Sequence, residues 1–379
     1  MSTLKPTVAV CIPTFNQSRF LAESVKSACS QTYPGVEVWV SDDASTDDTP
    51  AVLDRLARQF ANLRYHRHAK NLNIAANNTW LLAQPEADFI VRLDSDDILE
   101  PRYVEILLSL MVAQPSAGYA HSAVRVIDEE GAVRSVTRLA RPTGFRSAEQ
   151  ALRDALAGYR VAANIVMFRA AILRKLNYYR GRPDFVEDYD LSVRMADAGF
   201  GNVYCDKTLA RYRVWTDPKQ ARSKRKALQL RGYRCIFDEA FEPAFLRRGW
   251  DTKSLLRARE KLAVHHAAGC FAPQYNSAER AELLGLLWRL GGKGSLALGA
   301  RLFALNLGLR PLFEHQHALV KSLKTIVKVT LKRVAHGAGC VESGGNRSEH
   351  VVPPLASSQP RRNASIASRG SRTSPRPLK

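Results

Sequence analysis

Residues 89–97 read Phe-Ile-Val-Arg-Leu-Asp-Ser-Asp-Asp. The run Phe89–Leu93 is short and largely apolar, as a strand buried inside a sheet requires, and it stops at three carboxylates in four positions. The same alternation repeats outward from it. Val8–Ile12 (VAVCI) is a continuous apolar run, followed by an amphipathic stretch Arg19–Ser30 with Phe20, Val25 and Ala28 as apolar contacts. Val36–Val40 is the next strand and ends in the polar run Ser41–Asp48, a loop with a helix N-cap leading into Pro50–Phe60. Leu63–Arg67 is a third strand, then an asparagine-rich loop Asn71–Asn78 and a helix through Trp80–Leu82. On the C-terminal side Pro101 is expected to open a helix in its first turn. Four βα units in about 110 residues predict an α/β fold, an open, mostly parallel sheet with helices on both faces.

Beyond residue 117 the pattern loosens into Gly118–Ile127, an amphipathic Ser147–Leu156, Val161–Phe168, and a helix Glu187–Ala198 ended by Gly199. After about residue 220 the strand signals stop, and a helical C-terminal region interrupted at Gly291-Gly292 and Pro311 follows. The expected division is an α/β domain over 1–220, a basic helical region over 221–335 and a Ser/Arg/Pro-rich tail over 336–379. The tail cannot bury a core and is expected to be disordered.

Charge follows the same division. The 379 residues carry a formal +20, which alone points to polyanionic partners. Residues 1–220 hold 27 basic and 26 acidic residues, 221–335 hold 22 and 8, and 336–379 hold 7 and 2. The surplus therefore belongs to the C-terminal region. Leu319, Leu323, Ile326, Val327 and Val334 share one helical face, with Lys321, Lys324, Lys328 and Lys332 opposite. Such a helix suits peripheral contact with an anionic membrane, or packs on the folded domain with its lysines solvated. The six cysteines are scattered without a C-x-x-C pair, and the start MSTLKPTVAV lacks a secretory h-region. These features predict free thiols and a cytoplasmic address, at the inner face of the membrane if the basic helix docks there. No run of about 18 uncharged apolar residues offers a spanning helix.

In open α/β sheets ligands bind beyond the carboxyl ends of strands. Asp42-Asp43 and Asp94-Ser95-Asp96-Asp97 sit at two such ends. A solvated turn would use the same residue types. Three carboxylates in four positions also suit a hard divalent ion such as Mn²⁺ or Mg²⁺, which takes one or two carboxylates and fills its shell with phosphate oxygens and water. Together with Pro13-Thr14-Phe15-Asn16, Gln31-Thr32-Tyr33-Pro34, Asp42–Asp47 and Glu187-Asp188-Tyr189-Asp190-Leu191 followed by Arg194, these residues resemble the motifs of family 2 glycosyltransferases. That family has the GT-A nucleotide-sugar-binding fold. The resemblance covers residues 7–215.

The resemblance implies a metal-dependent, inverting glycosyltransferase that moves a sugar from a nucleoside-diphosphate sugar, with UDP favoured, to a hydroxyl of a glycan or lipid-linked acceptor. Asp43 would accept the imide N–H of the base, with Pro13, Thr14 and Phe15 at the base pocket. Asp96 would lie near the ribose and sugar and, with Asp97, at the metal. Asp188 would be the general base. Two departures stand out. The loop Asn71–Thr79 lacks the arginine of many relatives, leaving Asn77 or Asn78 to offer neutral hydrogen bonds. Trp215 stands where many relatives have a histidine; Trp cannot ligate a metal, so Arg213 or Lys219 would stabilise the leaving group, and Trp215 would stack on a sugar or pack in the core.

Three alternatives compete. A nucleotidyltransferase would want a basic glycine-rich loop where Pro13–Asn16 stands. A nucleic-acid-binding module on 221–379 lacks interleaved aromatics, and an inactive scaffold would not need Asp43, Asp96, Asp97 and Asp188. His265-His266 lacks a third ligand at metal spacing and reads as a helix face. His66 and His68 share one side of a strand, and Gly291–Ser295 reads as a helix break, not a phosphate loop.

Overall fold

The structure, a computed structural model, describes residues 5–182, 185–215 and 225–309. The chain begins β1 (Val8–Thr14), α1 (Ser18–Cys29), β2 (Val36–Asp42), α2 (Thr49–Gln59), β3 (Leu63–Arg67), α3 (Ile74–Leu82), β4 (Phe89–Arg92). It continues through β5 (Ile98–Leu99), α4 (Tyr103–Ala113), β6 (Ala117–Ile127), β7 (Val133–Thr137) and β8 (Gly144–Arg146). Then come α5 (Ala148–Ala155), β9 (Val166–Arg169), α6 (Ala170–Lys175), α7 (Glu187–Asp197) and β10 (Gly201–Arg213). Beyond β10 the described residues are helical: α8 (Lys226–Ile236), α9 (Glu242–Arg247), α10 (Lys253–Ala267), α11 (Ser277–Gly291) and α12 (Leu296–Asn306).

The strands form one open sheet in the order β3-β2-β1-β4-β9-β6-β10-β5, with β7 on β6 and β8 on β10. From β3 to β4 every pairing is parallel, as short apolar strands alternating with helices demand. β9 enters antiparallel between β4 and β6, and β6 and β10 then pair in parallel. The strand order reverses at β1, which lies between β2 and β4, so the crevice at its carboxyl end is the topological switch point.

Alternate residues of the strands feed two cores. Val8, Val10 and Ile12 of β1 and Phe89 and Val91 of β4 pack with Leu21 and Val25 of α1, Leu53 of α2 and Leu107 of α4. Cys11 and Ile90 point to the other face, against Leu81 of α3, Ile172 of α6 and Leu191 and Met195 of α7. Helices thus cover both faces. A third core joins Leu152 of α5 and Val193 of α7 to Phe237, Phe241 and Phe245, and to Leu287 and Leu298 of the C-terminal helices. All described residues belong to one compact unit, Met1–Phe313.

Several local readings hold. Ser147 caps α5 in a reciprocal box with Gln150. Gly199 stands at φ +92° beyond α7, and Gly292, at +89°, ends α11. His66 and His68 lie on one face, both against Trp80 at 4.5 and 4.7 Å between ring centroids. The cysteines among the described residues are free. Two readings fail: the loop expected over Asn71–Asn78 turns helical at Ile74, after Asn73 caps α3, and Pro101 precedes α4 rather than sitting in its first turn, its carbonyl accepting the Thr32 N–H at 2.9 Å. Among the described residues no helix is long and apolar enough to cross a membrane. Lys219, the basic helix expected over 319–334 and the tail lie outside the described residues.

Candidate active site

The loops that leave β1 and β2 are locked together. The Asp43 amide donates to the Thr14 carbonyl at 2.9 Å, the Asn16 amide to Ser45 Oγ at 2.8 Å, and the Thr46 amide to Asn16 Oδ1 at 2.8 Å. Asn16 and Ala44 hold left-handed backbone at φ 52° and 61°, conformations that cost on the order of 1 kcal/mol and persist where surrounding contacts enforce them. The result sets Phe15 outward, 45% exposed, while Thr14 and Asp43 are buried. One Asp43 oxygen accepts the Leu72 N–H at 2.7 Å, and its carbonyl accepts from Asn71 Nδ2 at 3.1 Å. The asparagine-rich loop therefore wraps onto Asp43. In α3 Asn77 is committed to Ser41 of β2, through Oδ1 at 2.5 Å and Nδ2 at 3.3 Å.

Buried polar groups around this switch point have atoms with no hydrogen-bond partner among the described residues, including Thr14 Oγ1, both amide atoms of Asn78, Oδ2 of Asp42 and of Asp97, and Nε of Arg92. A buried polar atom left unpaired costs about 1–3 kcal/mol, so such atoms are expected where a ligand supplies the missing bond. Thr14 ends β1, and Asp97 follows β4, its direct neighbour.

Asp97 is fully buried, and Oδ1 accepts the Arg213 amide N–H at 2.8 Å. Burial first, then the charges of Asp96 and Asp94, push its carboxyl well above the ordinary carboxylate range. Such a carboxylate gains from a cation at its free oxygen, and the residues present fit a divalent ion there. Among the described residues no group of three or more His, Cys, Asp or Glu converges on one point, so an ion held by Asp97 and Asp96 would complete its shell with substrate oxygens and water. Asp96 Oδ2 accepts the Trp215 indole N–H at 2.7 Å, and that ring packs against Phe20 of α1 at 5.9 Å. Trp215 is thus tied to the acidic run through its N–H and to α1 through its ring.

The expectation that Arg213 faces the nucleotide does not match its surroundings. Arg213 is 2% exposed. Its guanidinium donates to the carbonyls of Asp96, Asp128 and Glu129 and to Glu23 Oε2. Those bonds fix the last turn of the acidic loop against β10, so Arg213 positions Asp96 and Asp97.

Asp188, at the start of α7, is 8% exposed. Its Oδ1 accepts the Tyr179 O–H at 2.6 Å, and Oδ2 lies 3.5 Å from Arg92 Nη1. Arg92 Nη2 donates at 2.8 Å to Asp94 Oδ1, and Nη1 to the Asn164 carbonyl at 3.0 Å. Arg92 therefore ties the acidic run after β4 to the head of α7. The motif reading missed Arg92 and Tyr179; the available signal was a lone charge inside the apolar run of β4. Asp190 turns away from this group, bound by Arg194 at 2.7 Å with Arg180 at 3.4 Å.

The family model described as Glycosyl transferase family 2 matches residues 9–174. A provisionally named glycosyltransferase, EpsE of Bacillus subtilis (strain 168), is 28% identical over 281 residues, 69% of this chain and 98% of that protein. Chondroitin synthase of Escherichia coli is 28% identical over 52% of this chain, which spans 28% of that longer protein. Among solved structures, Staphylococcus aureus TarS 1–349 in complex with UDP-GlcNAc superposes with a TM-score of 0.60 at 15% identity, over 77% of this chain and 83% of that one. Mannosyltransferase PcManGT from Pyrobaculum calidifontis, in complex with GDP-Man and Mn²⁺, gives 0.51 at 20%, over 80% and 81%. At these identities the structural likeness is one of fold. The family 2 domain over residues 9–174, the glycosyltransferase relatives and the GT-A fold together support a family 2 glycosyltransferase, a transferase enzyme.

Proposed function

We propose that the chain is a divalent-metal-dependent, inverting glycosyltransferase that moves a sugar from a nucleoside-diphosphate sugar, UDP being the favoured carrier, to a hydroxyl of a glycan or lipid-linked acceptor. One observation carries this reading: through Arg92, the acidic run 94–97 and Asp188 meet beside the switch point. Departure of the nucleoside diphosphate builds negative charge on phosphate oxygens, and a divalent cation held by Asp97 and Asp96 supplies stabilisation for it. Asp43, Pro13, Thr14 and Phe15 hold the base, and Asn78 offers its unpaired amide to the nucleotide. Asp188 takes the proton of the attacking hydroxyl while Tyr179 and Arg92 fix its orientation. Attack in line with the departing group inverts the sugar carbon.

UDP is supported by the TarS complex with UDP-GlcNAc, and Mn²⁺ by the PcManGT complex. A lipid-linked acceptor is supported by a Campylobacter jejuni relative, 33% identical over 119 residues, whose name specifies a diphospho-undecaprenol substrate. The basic surplus of residues 221–335 suits work beside an anionic membrane.

The test is turnover of UDP-, GDP- and dTDP-sugars with and without Mn²⁺. The reading fails if no donor is bound or hydrolysed, or if EDTA changes nothing. Asp97→Asn should abolish metal-dependent donor binding. Asp188→Asn should retain that binding and lose transfer; losing both would remove Asp188 as the base.

A further inference from the structure

A cleft of about 110 Å³ opens beside β6, β10, α5 and α7, lined in part by Tyr119, Arg141, Arg146, Arg160, Ser192 and Asn202. None of the residues assigned above to the donor, the metal or the base lines it. Three arginines and one carboxylate line it, and that carboxylate, Asp154, lies 3.6 Å from Arg146. Arg141 is held by neutral partners: Nη2 donates to Asn202 Oδ1 at 2.7 Å and Nη1 to the Gly144 carbonyl at 3.3 Å. Its guanidinium also lies 5.2 Å from the Tyr204 ring centroid. These contacts fix its direction without neutralising it.

Compensation is partial, because the one carboxylate of the lining, Asp154, is shared between Arg146 and Arg141. Burial and the neighbouring Arg146 charge lower the hold of Arg141 on its proton. His121, fully buried with its ring 5.1 Å from Tyr204, is kept neutral by burial and by Arg141, pushed down to about 3. Like charges crowded into a partly desolvated cleft are stabilised by an anion. A volume near 110 Å³ equals roughly three or four waters at about 30 Å³ each, room for one phosphate group. A carboxylate offers two oxygens and is satisfied by one arginine fork, whereas a phosphate offers at least three and about twice the charge. Arginines from three separate segments favour the phosphate.

We propose that this cleft is a phosphate-binding subsite separate from the donor site. Ser192, in the lining of the cleft, lies four residues beyond Asp188 on α7, about one helical turn or roughly 6 Å along the axis. That relation to chemistry rests on the function proposed above; the binding itself does not. A phosphate free in solution and one carried by an acceptor would be recognised by the same arginines.

The test is calorimetric titration of the full chain, in EDTA, with inorganic phosphate and separately with glycerol 3-phosphate. Wild type should bind at least one of these. Arg160→Ala, at an exposed position, and Arg141→Gln should each weaken binding about tenfold or more, as loss of a charge-assisted bond predicts. Asp97→Asn should bind as wild type does. No binding by wild type, unchanged binding in both arginine variants, or equal loss in Asp97→Asn would overturn the proposal. This arm needs no turnover, so it can succeed or fail independently of the transferase reading. Donor hydrolysis without acceptor identifies the source. A free effector changes hydrolysis in wild type and not in Arg160→Ala. An acceptor-borne phosphate leaves hydrolysis unchanged and raises only the acceptor KM in that variant. Either response supports the subsite.

Discussion

Replacing Arg92 by methionine tests whether the acidic run and the head of α7 act as one unit. Methionine keeps much of the stem volume and removes the charge. Asp94 would lose a partner at 2.8 Å, Asp188 one at 3.5 Å and the Asn164 carbonyl a donor at 3.0 Å. Breaking a buried pair from one side costs roughly 3–5 kcal/mol, because the remaining charge stays desolvated. The Asp94 side chain is 27% exposed and recovers some hydration, while that of Asp188, at 9%, does not. The lower end, about 3 kcal/mol, is therefore expected, equivalent for a folded unit of this size to a fall in Tm of roughly 4–5 °C. Urea and thermal unfolding of the full chain measure it. The Arg92→Met/Asp94→Asn double variant should be more stable than the sum of the two single losses by about 0.5–3 kcal/mol. Donor binding should persist while kcat falls about a hundredfold, the scale of a 1 Å misplacement of a reacting group. A loss below about 1 kcal/mol, or strict additivity in the cycle, would refute the bridge.

What the sequence discloses depends on how local the physics is. The strands β1, β2 and β4 are legible because each is a short, mostly apolar and buried run, and carboxylates stand at the carboxyl ends of β2 and β4. β10 is harder to read. Its thirteen residues include Asp206, Lys207, Arg211 and Arg213, and its register against β6 shifts near Cys205–Ala210. That strand is specified by a partner far along the chain, a non-local pairing that no window of sequence contains. The same limit governs the site. Asp43, Asp96, Asp97 and Asp188 announce themselves as carboxylates at element ends. Arg92 looks like a tolerated charge within a strand until Asp188 is folded against it. Arg213 shows the opposite error. A cation near carboxylates suggests a ligand for phosphate, yet carbonyls of the 128–129 turn take up its donors. Composition gives a residue's chemistry, and only the fold shows what that chemistry is spent on.

Two more perturbations bear on this site and its surroundings. Trp215→Phe keeps the packing on Phe20 but removes the donor to Asp96. A hydrogen bond to a charged group is worth about 1.5–3 kcal/mol, so donor affinity should fall about tenfold or more, with an unchanged value arguing that the bond does not shape the donor site. His121 predicts a pH effect with a definite sign. Its ring is fully buried and burial depresses its proton affinity from the ordinary 6.5 to about 3. Between those values the unfolded chain binds one more proton than the native one, so stability rises with pH through that window and is lost as pH falls below about 6.5. From pH 7 to pH 5 the contribution is roughly 2 kcal/mol. Urea titrations at both pH values, on wild type and His121→Phe, isolate it, since the other titrating groups are common to both. The variant's loss between pH 7 and 5 should be smaller by that amount. Equal losses would mean that the native histidine takes up its proton as readily as the unfolded one, which a ring sealed between Tyr119 and Tyr204 beside Arg141 should not do.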